Sequence, residues 1–335
     1  MKTLASFWAM VFCLIIVISS AGCSTLKPYK ETQFLMDTVI EITAYGPNAE
    51  AATKAAFGEF KRIQTVSDRF NPDSQVSKVN QLAGISPVAV DPDLIKIIND
   101  SIDISQKTGG AFDVSIGPVT ELWGVGRKGD FTPTQEEIDA VLPLVDYRLI
   151  RVDADKGTIY LSKAGMKLDL GGVAKDYALN KAVAVLKAHG IKSALVNAGG
   201  DVQVIGTKTD GTPWRIGVQD PRNADRVIAK VSLNEWTTLQ TSGDYQRFFI
   251  KNDKRYAHIL DPRTGRQPTE IASVTLIYKA ADIAGDIASS GFLVLGLEKG
   301  MAALKRFPGV EAIFVTTEGK VVVTPGLRDK VELTH

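Results

Sequence analysis

The chain has 335 residues, with 39 Lys and Arg against 38 Asp and Glu, and a formal net charge of +1. This length suffices for one large domain or two small ones. The balanced charge, with no basic run or aromatic-interleaved basic patch, argues against nucleic-acid binding. With only three His and two Cys, a zinc site built from those ligands is excluded. Any metal site must therefore use oxygen ligands, which favours Mg²⁺ or Ca²⁺.

The N-terminus has the composition of a secretory signal peptide. Lys2 supplies a positive start, and residues 4–18 are almost wholly apolar, a run too short for a comfortable transmembrane helix. Small residues then lead to Cys23. One interpretation is ordinary signal cleavage, with Cys23 as an incidental thiol. The other is lipidation of this cysteine, which would anchor the protein to a membrane surface rather than span it.

The residues before the cysteine favour lipidation. Ala21 and Gly22 directly before Cys23 resemble a bacterial lipoprotein processing site, although Ser20 replaces the usual leucine. We therefore expect an exported bacterial lipoprotein that is lipid-anchored to the membrane and faces the periplasm. The expected organisation is a signal peptide over residues 1–22, a lipidated N-terminus and tether over residues 23–30, and a functional domain over residues 31–335.

Apolar periodicity and capping residues predict five helices. Thr134 and Glu137 form the capping box of a short one. The other four span residues 49–66, 91–109, 173–189 and 281–295. The predicted strands span residues 38–44, 149–152, 158–161, 194–197, 202–205, 214–218, 227–233, 237–240, 246–251, 273–278, 311–316 and 321–324. The pattern predicts an α+β fold, a single compact domain with mixed, largely antiparallel sheets flanked by helices.

Residues 168–179 hold the strongest local signal. A short apolar strand that carries Asp169 runs into the glycine pair Gly171 and Gly172, and a helical pattern follows with Lys175 in its first turn. Glycines let backbone N–H groups approach a ligand, and a helix N-terminus attracts anions, so the pattern suits a phosphate. The alternative is a tight strand-to-helix turn with a solvated lysine, and this segment alone does not decide between them.

The predicted C-terminal helix carries a second signal. Asp282, Asp286 and Ser290 recur every four residues, which stacks them on one helix face among small and apolar residues. Unpaired carboxylates are costly to bury there, and a cation with oxygen ligands would remove that cost. We expect Asp286 and Ser290 to bind a metal, and we interpret Asp282 as a helix cap. The alternative for Asp286 is a buried pair with a lysine.

Three weaker motifs accompany these two. His258 precedes an Asp-Pro turn over residues 261–265 and is either a general base for a hydroxyl nucleophile or a structural histidine. Residues 109–118 with Trp123 predict either a loop that lines a pocket for a flat ligand or an ordinary turn with a core tryptophan. Residues 197–201 form a glycine turn between two strands.

Together these features describe a site for a pyrophosphate with Mg²⁺. The site would combine two Gly-Gly turns, an anion-attracting helix start, a carboxylate–hydroxyl helix face and a histidine. No P-loop sequence occurs, and no Gly-x-Gly-x-x-Gly follows a strand. The sequence therefore excludes Walker and Rossmann phosphate sites.

The ordered motifs resemble the ApbE family of FAD:protein FMN transferases, whose members are often periplasm-facing lipoproteins. The resemblance covers nearly all of the mature chain and would make residues 31–335 a flavin transferase domain. Several motifs in one order are far more specific than a single glycine pair. The matching segments are residues 36–38, 66–80, 110–117, 168–177, 197–206, 242–245, 258–265 and 273–296.

The resemblance implies a reaction. FAD bound with Mg²⁺ is cut at its pyrophosphate, FMN passes as a phosphoester to a threonine or serine hydroxyl of a target flavoprotein, and AMP leaves. The implied partners are FAD, an acceptor such as a subunit of a membrane redox complex, and the membrane itself. The alternatives are an FAD pyrophosphatase that gives FMN and AMP, and a non-catalytic FAD-binding lipoprotein.

The resemblance also implies roles for individual residues. Asp286 and Ser290 match metal-ligand positions, and backbone carbonyl groups at Gly172 and Ala174 match a further ligand. His258 matches the histidine that removes a proton. The residues that match flavin-dinucleotide contacts are Met36, Val114, Ser115, Ile116, Asp169, Lys175, Ile259 and Leu260.

Two residues depart from the family pattern. Asp176 takes the place of a glycine that follows the lysine in many members, and Asp37 replaces the glycine of Met-Gly-Thr. A negative charge at Asp176 should weaken phosphate binding unless its side chain turns away. Around Phe70 and Asn71, members differ in how tightly they hold FAD, so the balance between transfer and hydrolysis stays open.

Overall fold

An eight-stranded antiparallel sheet forms the centre of the molecule, which this computed structural model describes over residues 27–279 and 287–334. The strands are β1 Tyr29–Leu35, β2 Thr38–Tyr45, β3 Val88–Ala89, β4 Ile150–Asp153, β5 Thr158–Leu161, β6 Ser193–Ala198, β7 Asp201–Ile205, β8 Trp214–Asp220, β9 Asn223–Leu233, β10 Thr237–Gly243, β11 Phe248–Lys251, β12 Lys254–Ala257, β13 Ile271–Lys279, β14 Glu311–Thr316, β15 Val321–Val323 and β16 Val331–Leu333. The helices are α1 Ala49–Ser67, α2 Gln75–Gln81, α3 Pro92–Lys107, α4 Gly117–Trp123, α5 Gln135–Val141, α6 Ala174–Ala188 and α7 Ser289–Leu304.

The strands of the described residues form four sheets. The large sheet has the order β1-β2-β6-β7-β10-β13-β14-β15, and the smaller ones are β16-β9-β8, β3-β5-β4 and β11-β12. Neighbouring strands pair antiparallel throughout these sheets. The predicted α+β fold, with largely antiparallel sheets and flanking helices, is confirmed.

The large sheet lies between a helical layer and a second sheet because its side chains alternate between two faces. In β2, the alternate residues Ile40, Ile42 and Ala44 are fully buried in a cluster that includes side chains of α1 and α6. In β7, Val202 and Val204 belong instead to a cluster with β8 and β9. The α6 helix therefore covers one face of the sheet, and its first turn lies near the strand ends.

The far half of the sheet is covered in the same way by α7. Val274 and Leu276 of β13 pack in a cluster with Phe292 and Leu293 of α7, whereas Ile277 packs with the β8–β9 layer. Residues 271–278 of β13 are all buried, as expected for a strand that is covered on both faces. This packing fixes the position of the α7 N-terminus over the sheet.

The predicted continuous helix over residues 281–295 is wrong. Ala288 is extended, with φ −121° and ψ 107°, so α7 begins at Ser289 and continues to Leu304. Ser290 consequently lies in the first turn of α7 and cannot share one uninterrupted helix face with Asp282 and Asp286. Those two aspartates lie outside the described residues.

A glycine divides α7 into two segments. Gly296 has φ 79° and ψ −177°, a conformation that is essentially restricted to glycine. The N–H group of Leu297 donates to Glu270 Oε1 at 3.0 Å. The carboxylate of Glu270, the residue directly before β13, therefore caps the second segment of α7. A Cβ atom at Gly296 would overlap the Glu270 carboxylate.

The N-terminal boundary of the fold also differs from expectation. Strand β1 begins at Tyr29, so the last two residues of the expected tether already pair with β2. The two short helices α2 and α4 were not predicted, because seven residues give too little periodicity. Within the described ranges, no helix combines the length and apolarity needed to cross a bilayer.

We predict that Gly296→Ala lowers the free energy of unfolding by about 1–3 kcal/mol, because alanine is strained in this conformation. Urea denaturation of the purified protein measures this change. The matched control is Gly58→Ala in α1, where a Cβ atom meets nothing within 4 Å. That substitution should raise stability by roughly 0.5–1 kcal/mol. Equal effects of the two substitutions would contradict the assigned kink.

Candidate active site

A cavity of about 660 Å³ lies where the first turns of α6 and α7 meet the ends of β7 and β10. Its volume falls in the range of pockets that hold small molecules and cofactors. The predicted site residues that line it are Met36, Ile116, Asp169, Gly172, Ala174, Lys175, His258, Ile259, Leu260 and Ser290. The fold therefore brings together residues that are far apart in the sequence.

Two other predicted site residues, Val114 and Ser115, do not line the cavity. Val114 is fully buried, and its carbonyl oxygen accepts a hydrogen bond from the Asp169 N–H group at 2.8 Å. The N–H and hydroxyl groups of Ser115 both donate to Asp113 Oδ1, at 2.8 and 2.7 Å. These hydrogen bonds lie behind the cavity wall and stabilise it. Asp286 lies outside the described residues.

A partly buried lysine lies between two carboxylates in the wall. Lys175 Nζ forms an ion pair with Asp201 Oδ2 and lies 3.5 Å from Asp176 Oδ1. Asp201 is held in turn by the Thr241 N–H group, which donates to its Oδ1 at 2.7 Å. Burial lowers the pKa of Lys175, and Asp176 opposes that shift. The lysine predicted as a phosphate ligand thus already has anionic partners.

The side chain of Gln240 connects α6 to the start of α7. Its Nε2 donates to Asp176 Oδ2 at 2.5 Å and to the Ile287 carbonyl oxygen at 3.1 Å. Its Oε1 accepts from the Ser289 N–H group at 3.2 Å. The Ser289 hydroxyl pairs with the Ser242 hydroxyl at 2.8 Å. This network fixes the backbone immediately before Ser290.

The Asp176 carboxylate is enclosed in the wall, where its Oδ1 lies 3.5 Å from Lys175 Nζ. Asp176 lines the cavity although only 5% of the residue is exposed. Its Oδ2 is bonded to Gln240, but its Oδ1 accepts no hydrogen bond from any described residue.

Gly172 and Ser290 approach each other across the cavity wall. A Cβ atom at Gly172 would lie 3.5 Å from Ser290 Oγ and 3.1 Å from the Phe112 ring. The glycine therefore leaves its backbone and the serine hydroxyl close together. Among residues 27–279 and 287–334, no group of three or more His, Cys, Asp or Glu side chains could hold a metal ion. A cation here would need hydroxyl and backbone oxygens as well as carboxylates.

Asp169 lies on the opposite side of the α6 start and contacts several groups there. Its Oδ2 accepts from the Thr120 hydroxyl at 2.8 Å and lies 3.1 Å from Arg69 Nε, while its Oδ1 accepts from the Gly171 N–H group at 3.0 Å. Arg69 lies over the Phe70 ring at 4.2 Å, and Arg127 lies over the same ring at 3.5 Å. Phe70 is half exposed and lines the cavity.

His258 lies in the cavity wall, and a contact at one ring nitrogen determines its tautomer. Its Nδ1 lies 3.2 Å from the Arg247 carbonyl oxygen, and its backbone N–H group donates to the same oxygen at 3.0 Å. A carbonyl oxygen only accepts, so the bonded Nδ1 carries the proton and Nε2 is left with a lone pair. Burial, and then the Arg247 charge, lower the pKa of His258 to about 4. The imidazole is therefore neutral near pH 7.

The turn between β1 and β2 explains the second departure. Met36 and Asp37 have φ of 52° and 60°, as the two central residues of a type I′ hairpin require. Glycine suits such a position, and aspartate tolerates it better than most residues. Asp37 also pairs with Arg247 at 3.1 Å across the cavity rim. The Met36 N–H group donates to Gln64 Oε1 at 2.7 Å, which holds the turn against α1.

The residues missed in the sequence carried weak signals. Gln240, Arg247 and Arg69 shape the site through the contacts above. Gln240 and Arg247 lie outside the matching segments, and Arg69 lies in the segment 66–80 but had no role assigned to it. Gln240 had one usable signal, because it is a polar residue within a strand in which the neighbouring residues are buried. Asp201 was noted only as part of a glycine turn.

The fold and the cavity define an α+β protein with a polar ligand pocket, and the comparisons identify its family. Residues 36–314 match the model of the ApbE family, and this chain belongs to that family. A curated FAD:protein FMN transferase of Treponema pallidum (strain Nichols) is 30% identical over 354 residues, which covers 99% of this chain and 98% of the relative. One from Klebsiella pneumoniae (strain 342) is 33% identical over 300 residues, which covers 89% and 92%.

Solved structures show the same fold. The ApbE protein of Thermotoga maritima superposes with a TM-score of 0.82 at 30% identity, covering 91% of this chain and 99% of that one. The flavinyl transferase ApbE of Pseudomonas stutzeri, in its apo form, has a TM-score of 0.78 at 28% identity, with coverages of 91% and 97%.

We predict that Asp169→Asn lowers the free energy of unfolding by roughly 1–3 kcal/mol, because it leaves the partly buried Arg69 without its counter-charge. Urea denaturation without ligand measures this loss. The control is Asp153→Asn, which removes only a surface pair with Lys156 and should change stability little. An Asp169→Asn protein as stable as the parent would show that the ion pair does not support the wall.

Proposed function

We propose that this protein transfers FMN from FAD to a threonine or serine hydroxyl of a target flavoprotein and releases AMP, with Mg²⁺ as the required cation. The curated relatives named above are FAD:protein FMN transferases, and their names support the donor, the transferred group and a protein acceptor. The single observation that carries the proposal is one cavity lined by the α6 start, Lys175, Ser290 and a neutral His258.

The wall has the chemistry that Mg²⁺ requires. The Ser290 hydroxyl lies beside Gly172, and both residues line the cavity. Hard oxygen donors of this kind suit Mg²⁺. Ser290, a carbonyl group at Gly172 or Ala174, and Asp286 would hold the ion. When bound, Mg²⁺ would neutralise charge on the pyrophosphate oxygens.

Backbone and side-chain groups of the protein itself would carry out the remaining steps. The N-terminus of α6 and Lys175 would bind and orient the FAD pyrophosphate. The Nε2 atom of His258 would take the proton from the acceptor hydroxyl, whose oxygen then forms the new bond to phosphorus. The bond from that phosphorus to the bridging oxygen breaks, and AMP leaves with the oxygen. Such proton removal typically contributes about 10²–10⁴-fold in rate.

The membrane setting is also proposed. With residues 1–22 removed and a lipid on Cys23, the enzyme would be held at a membrane surface and face the periplasm. A membrane flavoprotein, such as a subunit of a redox complex, would then be within reach. The composition of the N-terminal segment supports this assignment.

The central experiment mixes the mature protein with FAD, Mg²⁺ and a flavoprotein domain that carries an acceptor threonine. We expect the acceptor mass to rise by one FMN phosphoester and AMP to appear in equal amount. Asp286→Ala should abolish this transfer and leave the unfolding temperature close to that of the parent. FMN and AMP formed without any mass shift would favour the pyrophosphatase, and stoichiometric FAD without turnover would favour a flavin carrier.

We predict that His258→Ala still binds FAD but transfers FMN slower by orders of magnitude, because the proton acceptor is lost. The control is His189→Ala, an exposed histidine at the end of α6, which should transfer at the parent rate. Single-turnover kinetics with saturating FAD measure the step. An unchanged rate for His258→Ala would return this residue to a structural role.

The same histidine sets a pH dependence. A base must be unprotonated, and the pKa of His258 lies at about 4, so its neutral form persists above that pH. The rate that depends on His258 should therefore stay level over roughly pH 5–8 and fall as the pH approaches about 4. A midpoint near the ordinary histidine value of 6.5 would contradict the assigned environment.

A further inference from the structure

Arg247 is a cation of the cavity wall to which the proposed reaction assigns no role. Its side chain lines the cavity and is 56% exposed. Its carbonyl oxygen accepts a hydrogen bond from the backbone N–H group of His258 at 3.0 Å and lies 3.2 Å from Nδ1 of the same residue. The arginine is therefore bonded directly to the residue that we propose as the proton acceptor.

The guanidinium of Arg247 has an exposed partner that is easily exchanged. Its Nη1 lies 3.1 Å from Asp37 Oδ2, and both side chains are more than half exposed. Exposed ion pairs contribute little free energy, so this pair holds the guanidinium at the cavity rim but costs little to break. A guanidinium also matches the geometry of phosphate oxygens, to which it donates two parallel hydrogen bonds.

The lysine at the start of α6 does not provide enough positive charge for a pyrophosphate. Lys175 lies between Asp201 and Asp176, so one positive and two negative charges leave this group at −1. Burial lowers the pKa of Lys175, and the charge of Arg247 lowers it further. Burial and then the same charge lower the pKa of His258. The guanidinium therefore lies within electrostatic reach of both side chains and adds positive charge between them.

The two other arginines that line the cavity are held at an aromatic ring. Arg69 Nε lies 3.1 Å from Asp169 Oδ2, and its guanidinium lies 4.2 Å from the centre of the Phe70 ring. Arg127 lies 3.5 Å from the centre of the same ring. Their positions suit a planar group. Arg247 remains as the cavity cation that is free to turn to a phosphate.

We propose that Arg247 binds the pyrophosphate of FAD and exchanges its ion pair with Asp37 for the phosphate oxygens when the dinucleotide enters. The inference rests on the proposed function, because it takes FAD as the ligand. It also explains what Asp37 does at a position where the family pattern has glycine. This carboxylate competes with the phosphate for the arginine and lowers the affinity for FAD.

The test measures ligand binding rather than turnover. FAD, and riboflavin as a flavin without phosphate, are titrated separately into the mature protein without acceptor, and flavin fluorescence reports binding. We expect Arg247→Gln to weaken FAD binding about tenfold or more, because hydrogen bonds between charged groups are lost. Riboflavin should bind as it does to the parent. Arg247→Lys keeps the charge without the planar fork and should lose less.

Equal weakening for FAD and riboflavin in Arg247→Gln would overturn the inference, because it would indicate a damaged flavin pocket. The matched control is Arg255→Gln. Arg255 belongs to β12, lies 3.8 Å from the centre of the Phe248 ring and does not line the cavity. This variant should keep the parent's FAD affinity. A loss as large as that of Arg247→Gln would also overturn the inference, because net charge alone would then be sufficient.

Asp37→Asn should act in the opposite direction and raise FAD affinity by about two- to fivefold, the range expected for an exposed ion pair. Asparagine tolerates the φ of 60° at this position. In the Arg247→Gln background the same substitution should have no effect, because no arginine is left to release. A rise of equal size in the double variant contradicts the exchange, since removal of the negative charge would then account for it.

Two further outcomes separate this inference from the proposed function. If the parent binds FAD and transfers FMN while Arg247→Gln keeps the parent's FAD affinity, only the inference fails. If the parent binds no FAD, the proposed function and the inference both fail. Thermal unfolding without FAD checks that each variant is folded.

Discussion

The end of the cavity between the starts of α6 and α7 depends on one buried amide. Gln240 uses both N–H bonds and its oxygen, so it joins α6, through Asp176, to the backbone at Ile287 and Ser289. A fully bonded buried amide specifies a single geometry, since any other arrangement would leave polar atoms unpaired. The distance between the α6 start and Ser290 follows from this arrangement, and with it the shape of the corner where oxygen atoms converge.

Around that amide, three ion pairs match charges in the cavity wall. Asp169 has Arg69, Lys175 has Asp201, and Asp37 has Arg247. Such pairs hold their side chains in place before a ligand arrives, so little reorganisation is needed on binding. His258 is held neutral by the same surroundings, which keeps a proton acceptor among charged groups without adding a further charge.

The sequence was sufficient for much of the fold because long periodic segments and capping residues act locally. The capping box at Thr134 and the helix that starts after Asp91 were both predicted, and both form. The prediction of a helix over residues 281–295 failed because periodicity cannot detect that Ala288 is extended. The Gln240 side chain of β10 fixes the backbone there through a contact between distant segments. The site residues divide in the same way, into those visible as local motifs and those that are not. Glycine turns and Lys175 were visible as motifs, whereas Gln240 and Arg247 act only through contacts between distant segments.

If Cys23 carries a lipid as proposed, the early start of the first strand limits how far the enzyme can reach. Only residues 24–28 separate Cys23 from Tyr29, the first residue of β1. Even fully extended, this spacer measures about 20 Å. With a lipid on Cys23, the cavity would have to work within a shallow layer above the bilayer. An acceptor whose hydroxyl lies far from the membrane would be out of range, so geometry as well as recognition would select which flavoproteins are modified.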